Sequence, residues 1–165
     1  MTAAASRVLG SKSAPATVVL CDGDLGGSAA RLAPLAEAVE SDECDLAVAA
    51  FARREGGGFG LAVGFSRWAV RRLAGLELAA PISGQRAIRA SLLPLLLPFA
   101  PGFGVETAMT IDAVRAGARV KEIELDLEHR ATGRTASGFL HRGRQLWSFV
   151  RAYASRRFRP RVPPR

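Results

Sequence analysis

The sequence predicts an α/β fold, a partial Rossmann-like mixed sheet with flanking helices and a C-terminal amphipathic helix. Three observations predict it. Short β-branched apolar runs alternate with stretches of helical spacing, glycine-rich breaks separate them, and the last ordered stretch sets an apolar stripe against arginines. With 165 residues and 48% apolar content, the chain can bury the core of one domain.

Met1 to Pro15 is small and polar without periodicity, so residues 1–16 read as a flexible N-terminus. Thr17-Val18-Val19-Leu20-Cys21 has the look of a buried parallel strand, and it carries Asp22-Gly23-Asp24 at its C-terminal end. Gly26 and Gly27 make a turn, Ser28 suits an N-cap, and Leu32, Leu35, Ala36 and Val39 recur at helical spacing, which predicts a helix over 28–41. Asp45 to Phe51 reads as a second strand. Arg53 to Gly60, with three consecutive glycines, reads as a flexible loop, and Phe65 to Leu76 as a helix with arginines outward.

Pro81-Ile82-Ser83-Gly84-Gln85-Arg86 reads as an irregular turn and Ser91 to Phe99 as a short helix. Pro101-Gly102-Phe103-Gly104 breaks the chain before a helix from Val105 to Ala116 that Gly117 ends. Ala118 to Leu127 alternates unevenly and reads as a strand. Residues 17–140 then form the main body, 141–158 an amphipathic basic helix, and 159–165, with three prolines, a tail. Three or four strands are few for a complete doubly wound sheet.

Charge is unevenly distributed. From His129 onward there are ten arginines and no acid, a formal +10, while 13 basic and 15 acidic residues before it give a formal −2; the whole chain is at +8. A cationic end of this kind attracts phosphate-bearing substrates or a membrane surface. No base-stacking or groove-reading motif accompanies it, so specific nucleic-acid binding is not expected. Cys21 and Cys44 match no zinc spacing. Without a secretory h-region at the start, they read as reduced core thiols of a cytosolic protein. The longest apolar run, Leu92 to Phe99, is interrupted by prolines and far short of the ~20 residues a membrane-spanning helix needs.

Three clusters carry chemistry. Asp22 and Asp24, spaced around Gly23 at a strand end, can both point into one cleft and hold a hard divalent cation on diphosphate oxygens, although Asp and Gly are also common in turns. Glu106 lies in the first turn of a helix behind Gly102-Phe103-Gly104, where it complements the helix dipole; Asp112, six residues on, falls on another face. In Asp126-Leu127-Glu128-His129-Arg130 a neutral imidazole could complete a metal site or be structural, and Arg130 could meet a phosphate. Arg134 belongs to a basic loop able to close over a diphosphate. The helix over 141–158 has three readings, namely packing on its own domain, phosphate capture, or lying on an anionic bilayer.

The order of these pieces, from Val18-Val19-Leu20-Cys21-Asp22-Gly23-Asp24-Leu25 through Pro81 to Arg86, Gly102 to Glu106, Ile111-Asp112 and Leu125 to Arg130, resembles GT-A-fold glycosyltransferases. The likeness is greatest to the glucosyl-3-phosphoglycerate synthase-like and family 2 enzymes. It spans about residues 17–130. The resemblance implies a hexosyltransferase that is dependent on magnesium or manganese and uses a nucleoside diphosphate sugar. Asp24 and His129 would be metal ligands, with Asp22 near the ribose or metal. Gly23, Arg130 and Arg134 would fall on the donor side, Ser83, Gly84, Gln85 and Arg86 on the acceptor side, and Glu106 beside the transferred sugar. The implied acceptor is a small phosphorylated molecule or a polyprenyl phosphate, the latter with the protein peripheral at the inner membrane face.

This chain departs from the family at three places. Only 16 residues precede Thr17 where the family has a nucleotide-binding half, Gln85 stands where the turn commonly has Glu, and Leu127 stands two residues before the histidine in place of an arginine. The first departure implies a partner in the form of a separate N-terminal half or a second copy. It also raises a rival reading, a truncated non-catalytic binding module that keeps the acidic cleft.

Overall fold

The computed structural model describes residues 1–10, 15–23, 26–51, 60–125 and 138–158. Its sheet has four strands, β1 (Thr17–Leu20), β2 (Leu46–Phe51), β3 (Arg86–Arg89) and β4 (Val120–Leu125), in the order β1-β3-β2-β4. β2 and β4 pair in parallel, whereas β3 pairs antiparallel with both β1 and β2. β1, β2 and β4 therefore run the same way and end at the same edge as the first residue of β3. That edge carries Asp22.

The side-chain alternation of β2 builds the core on both faces of the sheet. Leu46 and Val48 point to one face, where they join Ile88, Leu93, Leu96, Val105 and Met109. Ala47 and Ala49 point to the other, where Leu35, Ala38 and Val39 of α2 (Ala33–Glu40) cover them. The first face is covered by α4 (Leu93–Leu96) and α5 (Val105–Arg115). Two further helices, α3 (Gly60–Ala74) and α6 (Gly138–Arg157), pack on α5 and on each other. Each fully buried Leu, Ile or Val in these layers contributes about 1.5–3 kcal/mol of transfer free energy.

Several expectations change. The unperiodic start contains a helix, α1 (Thr2–Leu9), whose run of alanines has high helix propensity and whose Ala5 is buried against Leu46 and Val48. The turn read over Pro81 to Arg86 leads directly into β3, a central strand that the sequence did not indicate. β1 is half-buried rather than buried, and among the described residues its one sheet partner is antiparallel. Cys21 is exposed, so only Cys44 is a core thiol; both are free. The helix expected over 28–41 begins as a 3-10 stretch at Gly26–Leu32 and becomes α2 at Ala33, where Pro34 suits the first turn. α3 starts at Gly60, earlier than the apolar spacing indicates. α5 ends at Arg115, with Gly117 just beyond at φ +83°, as the sequence predicts.

Candidate active site

Asp22 follows β1 by two residues, and the turn from Pro81 to Gln85 enters β3 beside it because β1 and β3 pair Leu20 with Arg86. This register brings the two motifs together. Gln85 Nε2 donates to Asp22 Oδ2 at 2.9 Å, and Ser83 Oγ donates to Gln85 Oε1 at 3.2 Å. Ser83 and Gln85 are buried while Asp22 is exposed, so a rigid amide fixes one oxygen of an accessible carboxylate. Gly84 leaves the Asp22 carboxylate its position, since a Cβ here would lie 2.8 Å from both of its oxygens.

Arg86 is fully buried, and its guanidinium is used inside the protein. Nε donates to Ser83 O at 2.8 Å, one terminal nitrogen to Pro81 O at 2.8 Å, and the other to Thr110 Oγ1 at 2.9 Å. Thr110 Oγ1 in turn donates to Glu106 O, 3.1 Å away. Arg86 thus ties the turn to α5 from inside the fold. Burial pulls its pKa down to about 10, with Glu106 and Glu122 opposing, so it stays charged at neutral pH.

Glu106 opens α5 immediately behind the Gly102–Gly104 turn. Burial pushes its carboxyl up to about 7; the charge of Arg86 counters this and that of Asp22 adds to it. A carboxyl poised near neutrality in a pocket is suited to accepting a proton there. The pocket, about 130 Å³, is lined by Asp22, Ile82, Gly84, Phe103 and Glu106, closed by Ala62 of α3 and Phe149 of α6. Ala62 and Phe149 were not singled out in the sequence, although Phe149 lies in the stripe that marked α6.

A second supporting carboxylate also went unnoticed. Glu122 of β4 accepts from the backbone N–H groups of Ala79 and Ala80, at 2.6 Å each, and Arg67 of α3 donates to Ala79 O. These bonds anchor the approach to the Pro81 turn.

Asp112 lies away from the pocket, on a different face of α5 from Glu106, and pairs with Arg156 of α6 at 2.7 Å. α6 also approaches the glycine turn so closely that a Cβ on Gly104 would sit 2.6 Å from Ser148 O. Phe149, Ala152 and Tyr153 form its packed side, and Tyr153 lies against Phe65 and Trp68 of α3 at centroid distances of 6.0 and 4.9 Å. Trp147 and Phe158 are exposed.

Of the residues expected to hold a metal or donor, Asp24, His129, Arg130 and Arg134 lie outside the described residues. Among the described residues, no group of three His, Cys, Asp or Glu side chains is placed to hold an ion. What is described fits a hard cation, because Asp22 offers a carboxylate oxygen beyond the one that Gln85 holds.

A four-stranded mixed sheet with helices on both faces and an acidic strand end beside a helix-borne glutamate is a GT-A-type fold. Solved structures of glucosyl-3-phosphoglycerate synthase from Mycobacterium tuberculosis share this fold. One, in complex with Mn2+, UDP-glucose and phosphoglyceric acid, matches at 23% identity and a TM-score of 0.68 over 96% of this chain and 54% of its own. Another, with Mg2+ and UDP, matches at 24% identity and 0.69, over 93% and 53%. The chain spans about half the length of these structures. No protein-family model matches the sequence. No curated protein matches it either.

Proposed function

We propose that this chain is the metal-assisted catalytic part of a glycosyltransferase that moves a hexosyl group from a nucleoside diphosphate sugar to an acceptor hydroxyl. The observation that carries this reading is the convergence of Asp22, the Ser83-Gly84-Gln85 turn and Glu106 on one pocket. The fold shared with a synthase solved with UDP-glucose and phosphoglyceric acid supports a uridine nucleotide sugar and a small phosphorylated acceptor.

In this reading Gln85 orients Asp22 toward the donor, and Gly84 leaves room for it. In an inverting transfer Glu106, in its ionised form, positions the acceptor hydroxyl and takes its proton as the oxygen bonds to the anomeric carbon and the bond to the diphosphate breaks; in a retaining one it stabilises the positive charge that develops at that carbon. Phe149 and Phe103 exclude water from that carbon. A bound magnesium or manganese ion, held by Asp24 and His129 with Asp22 beside them, would supply counter-charge for the departing diphosphate.

The test is a thermal-shift series with UDP, with and without manganese, on the wild type, Asp22→Ala and Glu106→Gln, followed by transfer assays with UDP-glucose. Metal-dependent protection should appear in the wild type, persist in Glu106→Gln and vanish in Asp22→Ala, and transfer should fail in both variants. Protection without transfer in the wild type would replace the enzyme by a binding module. No protection by any nucleoside diphosphate would overturn both.

A further inference from the structure

The aromatic stripe of α6, continuous in the sequence, is divided by the fold. Phe149, Ala152 and Tyr153 turn inward, and Arg156 turns with them onto Asp112. Trp147, Arg151, Ala154 and Phe158 recur at intervals of three or four residues along the opposite side, so they share one face. All four are exposed, Trp147 at 68% and Phe158 at 81%. Arg157, also exposed, lies over the Phe158 ring at 5.8 Å.

We infer that this outer face of α6 docks on the surface of an anionic lipid bilayer. Charge complementarity argues for that occupant. From residue 129 onward the chain carries ten arginines and no acid, and one of them, Arg156, is neutralised internally by Asp112. A second copy packed through the same face would bring like charge against it. Two large aromatics set among arginines match an interface where rings sit at headgroup level and guanidinium groups reach lipid phosphates. A nucleic-acid backbone would satisfy the arginines without drawing Trp147 and Phe158 out of water. No described helix is long and apolar enough to cross a membrane. The inference is independent of sugar transfer.

Co-sedimentation of the full chain with phosphatidylglycerol/phosphatidylcholine vesicles, against pure phosphatidylcholine vesicles, tests it. Binding should require the anionic lipid, fall with salt, and weaken about tenfold or more in a Trp147→Ser, Phe158→Ser double variant whose circular dichroism and sedimented mass match the wild type. No binding to the anionic vesicles at 0.1 M salt overturns the proposal. So does binding that the double variant leaves unchanged, which would assign it to charge alone. A wild-type dimer that the double variant dissolves would make a second copy the occupant, and equal loss of duplex-DNA binding would make it a nucleic acid.

Discussion

Gln85 concentrates the chemistry of the site in one amide. Its carboxamide is buried, with the oxygen accepting from Ser83 and the nitrogen donating to Asp22. Gln85→Glu keeps the shape, removes the donor and places a second negative charge against Asp22. We expect a loss of about 1–3 kcal/mol in urea unfolding, together with altered metal-dependent UDP protection. A stability unchanged to within error would show that the amide does not constrain the carboxylate. Glu106 offers a second test at this scale. Its ordinary value is 4.5 and its folded value about 7, so between those limits the unfolded chain releases a proton that the folded protein keeps. Stability should therefore fall as pH rises from about 4.5 to about 7. Glu106→Gln should match the wild type near pH 4 and exceed it above pH 7, as read by melting temperature across that range. Coincident curves at every pH would contradict the buried carboxyl.

These residues were legible in the sequence to different degrees. The Asp22 motif, the Pro81 turn and Glu106 stood out because glycines mark sharp turns and acids at element ends are few. The buried bonds of Arg86 were not legible, for the opposite reason. An arginine is seldom fully buried, and nothing local reveals that three oxygens, two of them backbone carbonyls, await it. Phe149 and Glu122 act across 40 residues or more, at the pocket and at Ala79, and no local pattern marks such pairs.

Among elements, α6 depends on its seam with α5. Asp112 and Arg156 form that seam's ion pair, with side chains 9% and 8% exposed. Removing one partner leaves the other charged and buried, so Asp112→Asn should cost about 3–5 kcal/mol. The double change Asp112→Leu, Arg156→Met should be close to neutral if the pair serves specificity more than stability. A thermodynamic cycle of the single and double variants by chemical denaturation measures the coupling. The helices themselves were readable because α3 and α6 show their apolar period over many residues and α5 is bounded by glycines at both ends. β3 was not, since Arg86-Ala87-Ile88-Arg89 is four residues long and carries a cation at each end. The role of this strand comes from its neighbours on both sides, which lie far away in the chain.

Across the whole molecule, the sheet has an edge that lines the pocket and an edge held by ion pairs. Asp22 and the Pro81 turn occupy the first. At the second, Asp42 and Asp45 meet Arg89 and Arg119, where β2 and β4 begin and β3 ends. Hydrogen bonding to Arg119 is the largest influence lowering Asp45 from 3.8 to about 2, and Arg89 adds to it. A depressed carboxylate stabilises the fold above its unfolded value, and the contribution disappears as pH falls from about 4 to about 2. Asp45→Asn should reduce stability at pH 7 and flatten the acid limb of the stability curve, while leaving UDP protection intact at a temperature where the variant is folded. An acid limb as steep as the wild type's would exclude Asp45 as its source.

The placement of β3 has a kinetic consequence. Its pairing with β1 joins Leu20 to Arg86, and the β2–β4 pairing joins Leu46 to Val120, so these ladders close loops far longer than any helix or hairpin does. Such contacts repay their closure entropy only after much of the chain is ordered. Helices α3, α5 and α6 can gain local structure early, but the pocket needs the β1–β3 register before Asp22 and Gln85 can meet. Nucleotide affinity should therefore recover late in refolding, after helical content has largely returned.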